Sequence, residues 1–224
     1  MYGIDVSHHQ RASQVPWAEI RETSDFCICR VGYGGGLRDR EVERHMRAAR
    51  EHGYRVGLYQ FFRPTQTPDA HFALFQAVAE TVGCEPGDII PWLDIEADPL
   101  PKPGVAVSAA WSEPALELVQ RIEERFGGCG IYITQREWGH LGRPSWVLER
   151  PMWIAHYTQS RAATPDDRPA HIHQHRVGPY DPQGPGGYFA SKTQLVLDQN
   201  RALRPLPLIA GAVAAGPGKP EWSG

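Results

Sequence analysis

The sequence is poor in cysteine, poor in lysine and free of long apolar runs. Four cysteines in 224 residues, Cys27, Cys29, Cys84 and Cys129, are too few and too unevenly spaced for a disulfide framework. Cys27 and Cys29 stand two apart in FCICRV and share one face of a strand, which reads as a pair of small buried thiols; one C-x-C without a second pair is a weak metal signal. The longest apolar stretch, LPLIAGAVAAG near the C-terminus, is about half the ~20 residues a helix needs to cross a bilayer. Charge of one sign is missing too. A net charge of -3 and a pI of about 6.4 give no bulk electrostatic reason to bind nucleic acid or insert into an anionic membrane. Lys102, Lys192 and Lys219 are the only lysines, so 20 of the 23 basic residues are arginine, which with the abundant Gly, Pro and Ala points to a GC-rich genome rather than to a mechanism. No basic region and apolar core precede the first strand-like run, MYGIDVS. A classical export signal is therefore not expected, and synthesis in the cytoplasm is.

What is present is one domain's worth of alternating strand and helix patterns. Strands are expected at 2–6, 26–31, 55–62, 89–96 and 130–134, with helices at 16–22, 39–52, 69–82 and after Ser112, whose hydroxyl is placed to cap a stripe of Leu116, Val119, Ile122 and Phe126. Such alternation implies a mainly parallel α/β sheet or barrel. Three more strands, at 152–157, 170–176 and 193–198, are joined by links rich in Pro, Gly and Asp that lack helical periodicity. The expected architecture is a barrel of about five βα units followed by three strands joined by loops, with antiparallel pairing near the end. It should occupy residues 1–203, leaving 204–224 as a Pro/Gly-rich tail or linker remnant.

Acidic residues mark the strand ends. In WLDIEAD, Asp94 and Glu96 are two apart, so both leave one face about 6.6 Å apart along the backbone. Asp5 ends the first strand in GIDVS and Asp198 ends the last in LVLDQN, and those two strands are neighbours when a barrel closes. Four carboxylates then meet at one mouth. Like charges in a partly desolvated cleft cannot all ionise, so one acid stays protonated near neutral pH. Glycoside hydrolysis needs that division, one acid to protonate the leaving oxygen and one carboxylate to stabilise positive charge. Asp5 taken alone reads as a turn cap or an arginine partner.

The ordered blocks GIDVSHHQ, VPWAEI, FCICRVGYGGG, VGLYQFFRP, PWLDIE, MWIAHY, IHQH and LVLDQN resemble those of glycoside hydrolase family 25, the N-acetylmuramidases that cut bacterial peptidoglycan. The likeness runs from Tyr2 to about Leu203. It implies a modified TIM-like barrel and a lysozyme that acts as a monomer on peptidoglycan without a cofactor; with no export signal or wall-binding domain expected, a phage lysin or virion-associated enzyme is the expected setting. It implies Glu96 as catalytic acid and base, Asp94 assisting the substrate's own N-acetyl group, and Asp5 and Asp198 shaping the charge of the site. Spacing leaves retention and inversion open, because rotamers move the carboxyl groups; retention is the expected outcome.

Aromatics near the acids suit the apolar faces of sugars: Tyr33 in the glycine-rich loop, Tyr59 and Phe61, and Trp153 and Tyr157. Phe61 and Trp153 fit a barrel core equally well. Arg63 is placed to touch a carboxylate or the lactyl and peptide side of muramic acid, and Gln174 matches an inward-facing glutamine of the family. His8 and His9 are a departure from its pattern at the expected cleft rim. His171, His173 and His175 alternate on one face of a strand, which is a metal arrangement in principle, but an inward Gln174 turns them outward. Two other functions remain open: a zinc-dependent peptidoglycan amidase or peptidase, which would release amines, and a glycan-binding module without turnover.

Overall fold

The computed structural model describes residues 1–99, 104–179 and 195–210. Its strands are β1 (Tyr2–Val6), β2 (Phe26–Tyr33), β3 (Leu37–Arg38), β4 (Arg55–Phe61), β5 (Trp92–Asp94), β6 (Gly130–Ile133), β7 (Met152–Ala155), β8 (Ile172–Pro179) and β9 (Val196–Ala202). The sheet runs β1-β9-β8-β7-β6-β5-β4-β2-β3, and a further β1–β2 pairing closes it into an eight-stranded barrel with β3 as an outlying hairpin strand. All pairings from β1 through β2, β4, β5, β6 and β7 to β8 are parallel; β9 alone closes the gap antiparallel to both neighbours. The α/β barrel with a departure in its last strands is thus the observed fold.

Helices α1 (Trp17–Arg21), α2 (Val42–Glu51), α3 (Pro68–Val82), α4 (Ser112–Phe126), α5 (Gln135–His140) and α6 (Ser145–Leu148) cover the outside. Their ends follow local chemistry. Thr67 accepts from the Ala70 amide ahead of Pro68, and Gly83 in left-handed conformation ends α3, as Gly127 ends α4. Ser112 does not cap α4. It is the first residue of that helix, and its hydroxyl instead accepts from the Trp146 indole at 3.1 Å.

Two other expectations shift. The apolar run 89–96 gives a strand only over Trp92–Asp94, because Pro91 has no amide to donate. Ile89 and Ile90 pair instead with 207–209: the Ile90 amide donates to the Pro207 carbonyl at 3.0 Å, and Ile89 bridges Leu208. Leu206 is buried against Ile89, Ile90 and Trp92. The packed chain therefore extends past the boundary expected at residue 203, and its last described stretch covers the barrel end where the parallel strands begin. Residues 193–194 of the expected last strand, and the tail from 211, lie outside the described residues, as do Lys102, Lys192 and Lys219.

The lumen is divided by chemistry. Its lower half is filled by Phe26, Ile28, Trp92, Trp153 and Ile172. Glycine makes room for two of the rings: a Cβ on Gly130 would fall 2.2 Å from the Trp92 ring and one on Gly3 2.5 Å from Phe26. A second core, of Cys27, Cys29, Leu58, Phe75, Leu118 and Ile154 among others, lies between barrel and helices. Cys27, Cys29, Cys84 and Cys129 are all free thiols, and the first two are buried, as their spacing suggests.

Candidate active site

Above the aromatic floor the lumen turns polar. A cavity of about 130 Å³ is lined by Asp5, Asp94, Glu96 and Asp198, with Tyr59, Trp153, Tyr157, Gln174 and Tyr132 around them. All four expected carboxylates meet here. Asp94 is the last residue of β5 and sits opposite Phe61 of β4, and Glu96 follows on the same face. Asp5 faces Asp198 directly across the β1/β9 pair. Asp198 is not at the end of its strand as expected but near its start. An antiparallel β9 brings its beginning to the mouth where the parallel strands end, so the residue arrives at the right place by the opposite route.

The carboxylates are held differently. Asp5 Oδ2 accepts from Asn200 Nδ2 at 2.7 Å and Gln174 Nε2 at 3.0 Å, and Asn200 in turn accepts from the Trp153 indole at 2.8 Å. Tyr132 and Tyr157 donate to Gln174 Oε1 at 3.0 and 3.3 Å. Asp94 is buried, and its Oδ1 has no partner among the described residues. A buried carboxylate oxygen left unpaired is costly, so a donor from a bound molecule fits there.

Burial raises all four carboxyl pKa values. Glu96 is pushed up to about 7 by burial, then by the charges of Glu137 and Asp5, with Arg30 opposing. Asp198 goes to about 8 through burial, Asp5 and Glu96. Asp5 rises only to about 6, because the amides of Asn200 and Gln174 stabilise its charged form against burial. Asp94 lies well above the ordinary range through burial and the charges of Glu96 and Glu137. Near neutral pH the cluster therefore holds protons, and Glu96 is poised between acid and base.

Three expected ligand residues lie outside this cavity. Tyr33 and Phe61 stack with centroids 4.6 Å apart, and the Arg63 guanidinium sits 4.7 Å over the Tyr33 ring. Phe61 is buried beneath that stack, so the core alternative holds for it. Arg63 does touch a carboxylate: Asp98, fully buried, accepts from Arg63 Nε at 2.8 Å and from the Tyr33 hydroxyl. Asp98 escaped the sequence reading, as did Arg30, Tyr132, Glu137 and Asn200. Two of these had a signal in period-2 alternation: Asn200 follows Asp198 by two residues, and Tyr132 follows the lumen-facing Gly130. Glu137 was readable only as an N3 residue, closing a capping box with Thr134 at the start of α5.

The histidines of β8 face outward, as the inward Gln174 requires. His173 is buried, its Nε2 against the His156 carbonyl at 2.7 Å and its Nδ1 against Arg201 at 3.2 Å. Among the described residues no group of three or more His, Cys, Asp or Glu side chains is arranged to hold a metal ion. No helix among them is long and apolar enough to cross a membrane.

Comparison with known proteins agrees with this geometry. The uncharacterized protein YegX of Escherichia coli O6:H1 is 26% identical over 167 residues, and its counterpart in strain K12 is 25% identical. Each alignment covers 72% of this chain but only 58% of the relative. Among solved structures, a bacterial lysozyme from Streptomyces coelicolor superposes with a TM-score of 0.72 at 23% identity, covering 91% of this chain and 92% of that one. A GH25 lysozyme from Aspergillus fumigatus gives 0.72 at 21% identity, covering 91% and 94%. These likenesses establish the barrel fold. The sequence model described as Glycosyl hydrolases family 25 matches residues 4–182, most of the chain, and the chain belongs to that family.

Proposed function

We propose that the chain is an N-acetylmuramidase that hydrolyses the β-1,4 bond between N-acetylmuramic acid and N-acetylglucosamine in peptidoglycan, with net retention. The observation that carries this reading is the pairing in one cavity of Glu96, raised to about 7, with Asp94, whose buried Oδ1 lacks a donor. Glu96 in its protonated form gives its proton to the glycosidic oxygen as the C1–O bond breaks. Asp94 accepts the N–H of the substrate's acetamido group, so the acetyl oxygen is aimed at C1 and closes a cyclic intermediate. Glu96, now a carboxylate, takes a proton from water as that water attacks C1 and reopens the ring, which restores both groups. This substrate-assisted route is a known exception to the two-carboxylate schemes. Asp5, fixed by Asn200 and Gln174 and largely ionised at neutral pH, adds negative potential that favours the developing positive charge at C1, while Asp198, raised to about 8, keeps its proton and bounds the site as a neutral acid.

Tyr59 and Trp153 supply an apolar floor for the sugar, and Tyr157, 59% exposed, forms the outer lip. On this reading the chain acts at the bacterial wall. Digestion of purified peptidoglycan, with the new reducing ends identified and their first-formed anomer followed by NMR, tests it. N-acetylmuramic acid released as the β-anomer is expected. N-acetylglucosamine ends would make it a glucosaminidase, the α-anomer would overturn retention, and amines without new reducing ends would mark an amidase.

A further inference from the structure

A second and larger cavity, of about 410 Å³, opens beside the catalytic one and has no part in the chemistry above. Arg30 is the wall between them. It lines this cavity and sits in register with Tyr59, which lines the catalytic one, and its charge opposes the rise of the Asp5, Asp94 and Glu96 pKa values. The far side is the β2–β3 hairpin, which brings Leu37, Arg38 and Arg40 to the rim, with Tyr33 as an aromatic wall.

Its chemistry is cationic and apolar together. Leu37, 58% exposed, presents its apolar side chain at the rim. The one acid among its described lining residues, Asp39, is already spent: its Oδ2 accepts from Arg30 Nε at 3.0 Å and the His8 amide at 2.8 Å, and its Oδ1 accepts from the Glu41 amide at 3.0 Å. Arg38 pairs with Glu43 in an exposed contact that contributes little, and Arg40 is exposed with no ion pair among the described residues. The volume falls within the range of small-ligand sites, roughly 300–1,000 Å³.

Resting on the muramidase reading, we infer that this cavity binds the acidic peptide carried on the lactyl group of muramic acid, with stem carboxylates on Arg38 and Arg40 and small apolar side chains on Leu37 and Tyr33. The cavity adjoins the catalytic mouth through Arg30, whose register partner Tyr59 lines the catalytic cavity, so a peptide on a sugar seated over Glu96 leaves the mouth on this side. The enzyme would then prefer peptide-bearing glycan to bare glycan.

Two measurements test this. The first compares kcat/KM on soluble glycan strands with stems intact and on the same strands stripped of peptide, for wild type and Arg40→Glu. Wild type should favour the intact strands about tenfold, the worth of one charge-assisted hydrogen bond, and Arg40→Glu should bring the ratio towards one. A wild-type ratio of one, or a ratio unchanged in Arg40→Glu, overturns the inference while leaving cleavage itself, and so the muramidase reading, intact. The second needs no turnover: NMR titration of L-alanyl-γ-D-glutamate into Glu96→Gln protein should shift the amides of Leu37 to Arg40, and unmoved amides there overturn the inference.

Discussion

The four carboxylates of the cavity share one cause of perturbation, burial, and differ in what surrounds them. Asp5 receives two amide donors and rises to about 6; Asp198, whose further influences are the charges of Asp5 and Glu96, rises to about 8. A carboxyl whose folded pKa is raised holds its proton more tightly in the native state than in the unfolded one. Its contribution to stability is therefore lost as pH rises from the ordinary value of 3.8 towards about 8, and does not change beyond. Asp198→Asn lacks this term. Its melting temperature relative to wild type should climb steadily between those two pH values and level off above them; a difference flat across that window would contradict the assignment. Histidines with lowered pKa values, His45, His71 and His173 among them, act in the opposite sense below about 6.5, but they are common to both proteins and cancel in the difference.

Residue-level legibility in the sequence followed the same division. Asp94 and Glu96 could be read because an apolar strand with two acids on one face has few structural reasons to exist. Asn200 could not, since its meaning is a contact with Asp5 across 195 positions of chain. Tyr33 and Arg63 were readable as separate ligand candidates but not as joint partners of Asp98, which lies past the end of β5 in an isolated bridge to Val105.

At the scale of elements, α2, α3 and α4 were the most legible because each combines an apolar stripe with a left-handed glycine at or just past its end, Gly53, Gly83 and Gly127, whereas the short α5 and α6 were not read. Strand β5 was the least, since Pro91 cuts its pairing and hands Ile89 and Ile90 to another segment. β3 has two residues and leaves no periodic trace. The β5/β6 pair places Trp92 beside Gly130 in register, and the ring occupies the space a side chain would take. Gly130→Ala should therefore destabilise by about 1–3 kcal/mol, the usual range for overpacking a tight core. Chemical denaturation gives the value directly, and a change under about 0.5 kcal/mol, as expected of a surface site, would show that the lumen yields more readily than this packing implies.

At the scale of the whole molecule, a net charge of -3 conceals a concentration of acid at one barrel mouth and a cationic cavity beside it. The opposite end is closed by a segment that composition alone assigned to a tail. Pro and Gly density suggested a linker, but Leu206 in that segment is buried and the adjoining backbone is hydrogen-bonded to Ile89 and Ile90. Leu206→Ala should cost about 2–3 kcal/mol if the segment belongs to the barrel, and close to nothing if it is a free tail. Urea unfolding of the two proteins separates these outcomes.

The proposed cleavage depends on one side chain above the others. Replacing Glu96 by Gln keeps the shape and removes the transferable proton, so kcat on purified peptidoglycan should fall by about 10²–10⁴-fold, with the melting temperature held or raised because a buried acid has become neutral. Turnover measured as new reducing ends, for wild type and Glu96→Gln side by side, is the most direct test. Loss of turnover in a folded variant is the predicted result; reducing ends released at near the wild-type rate would contradict it.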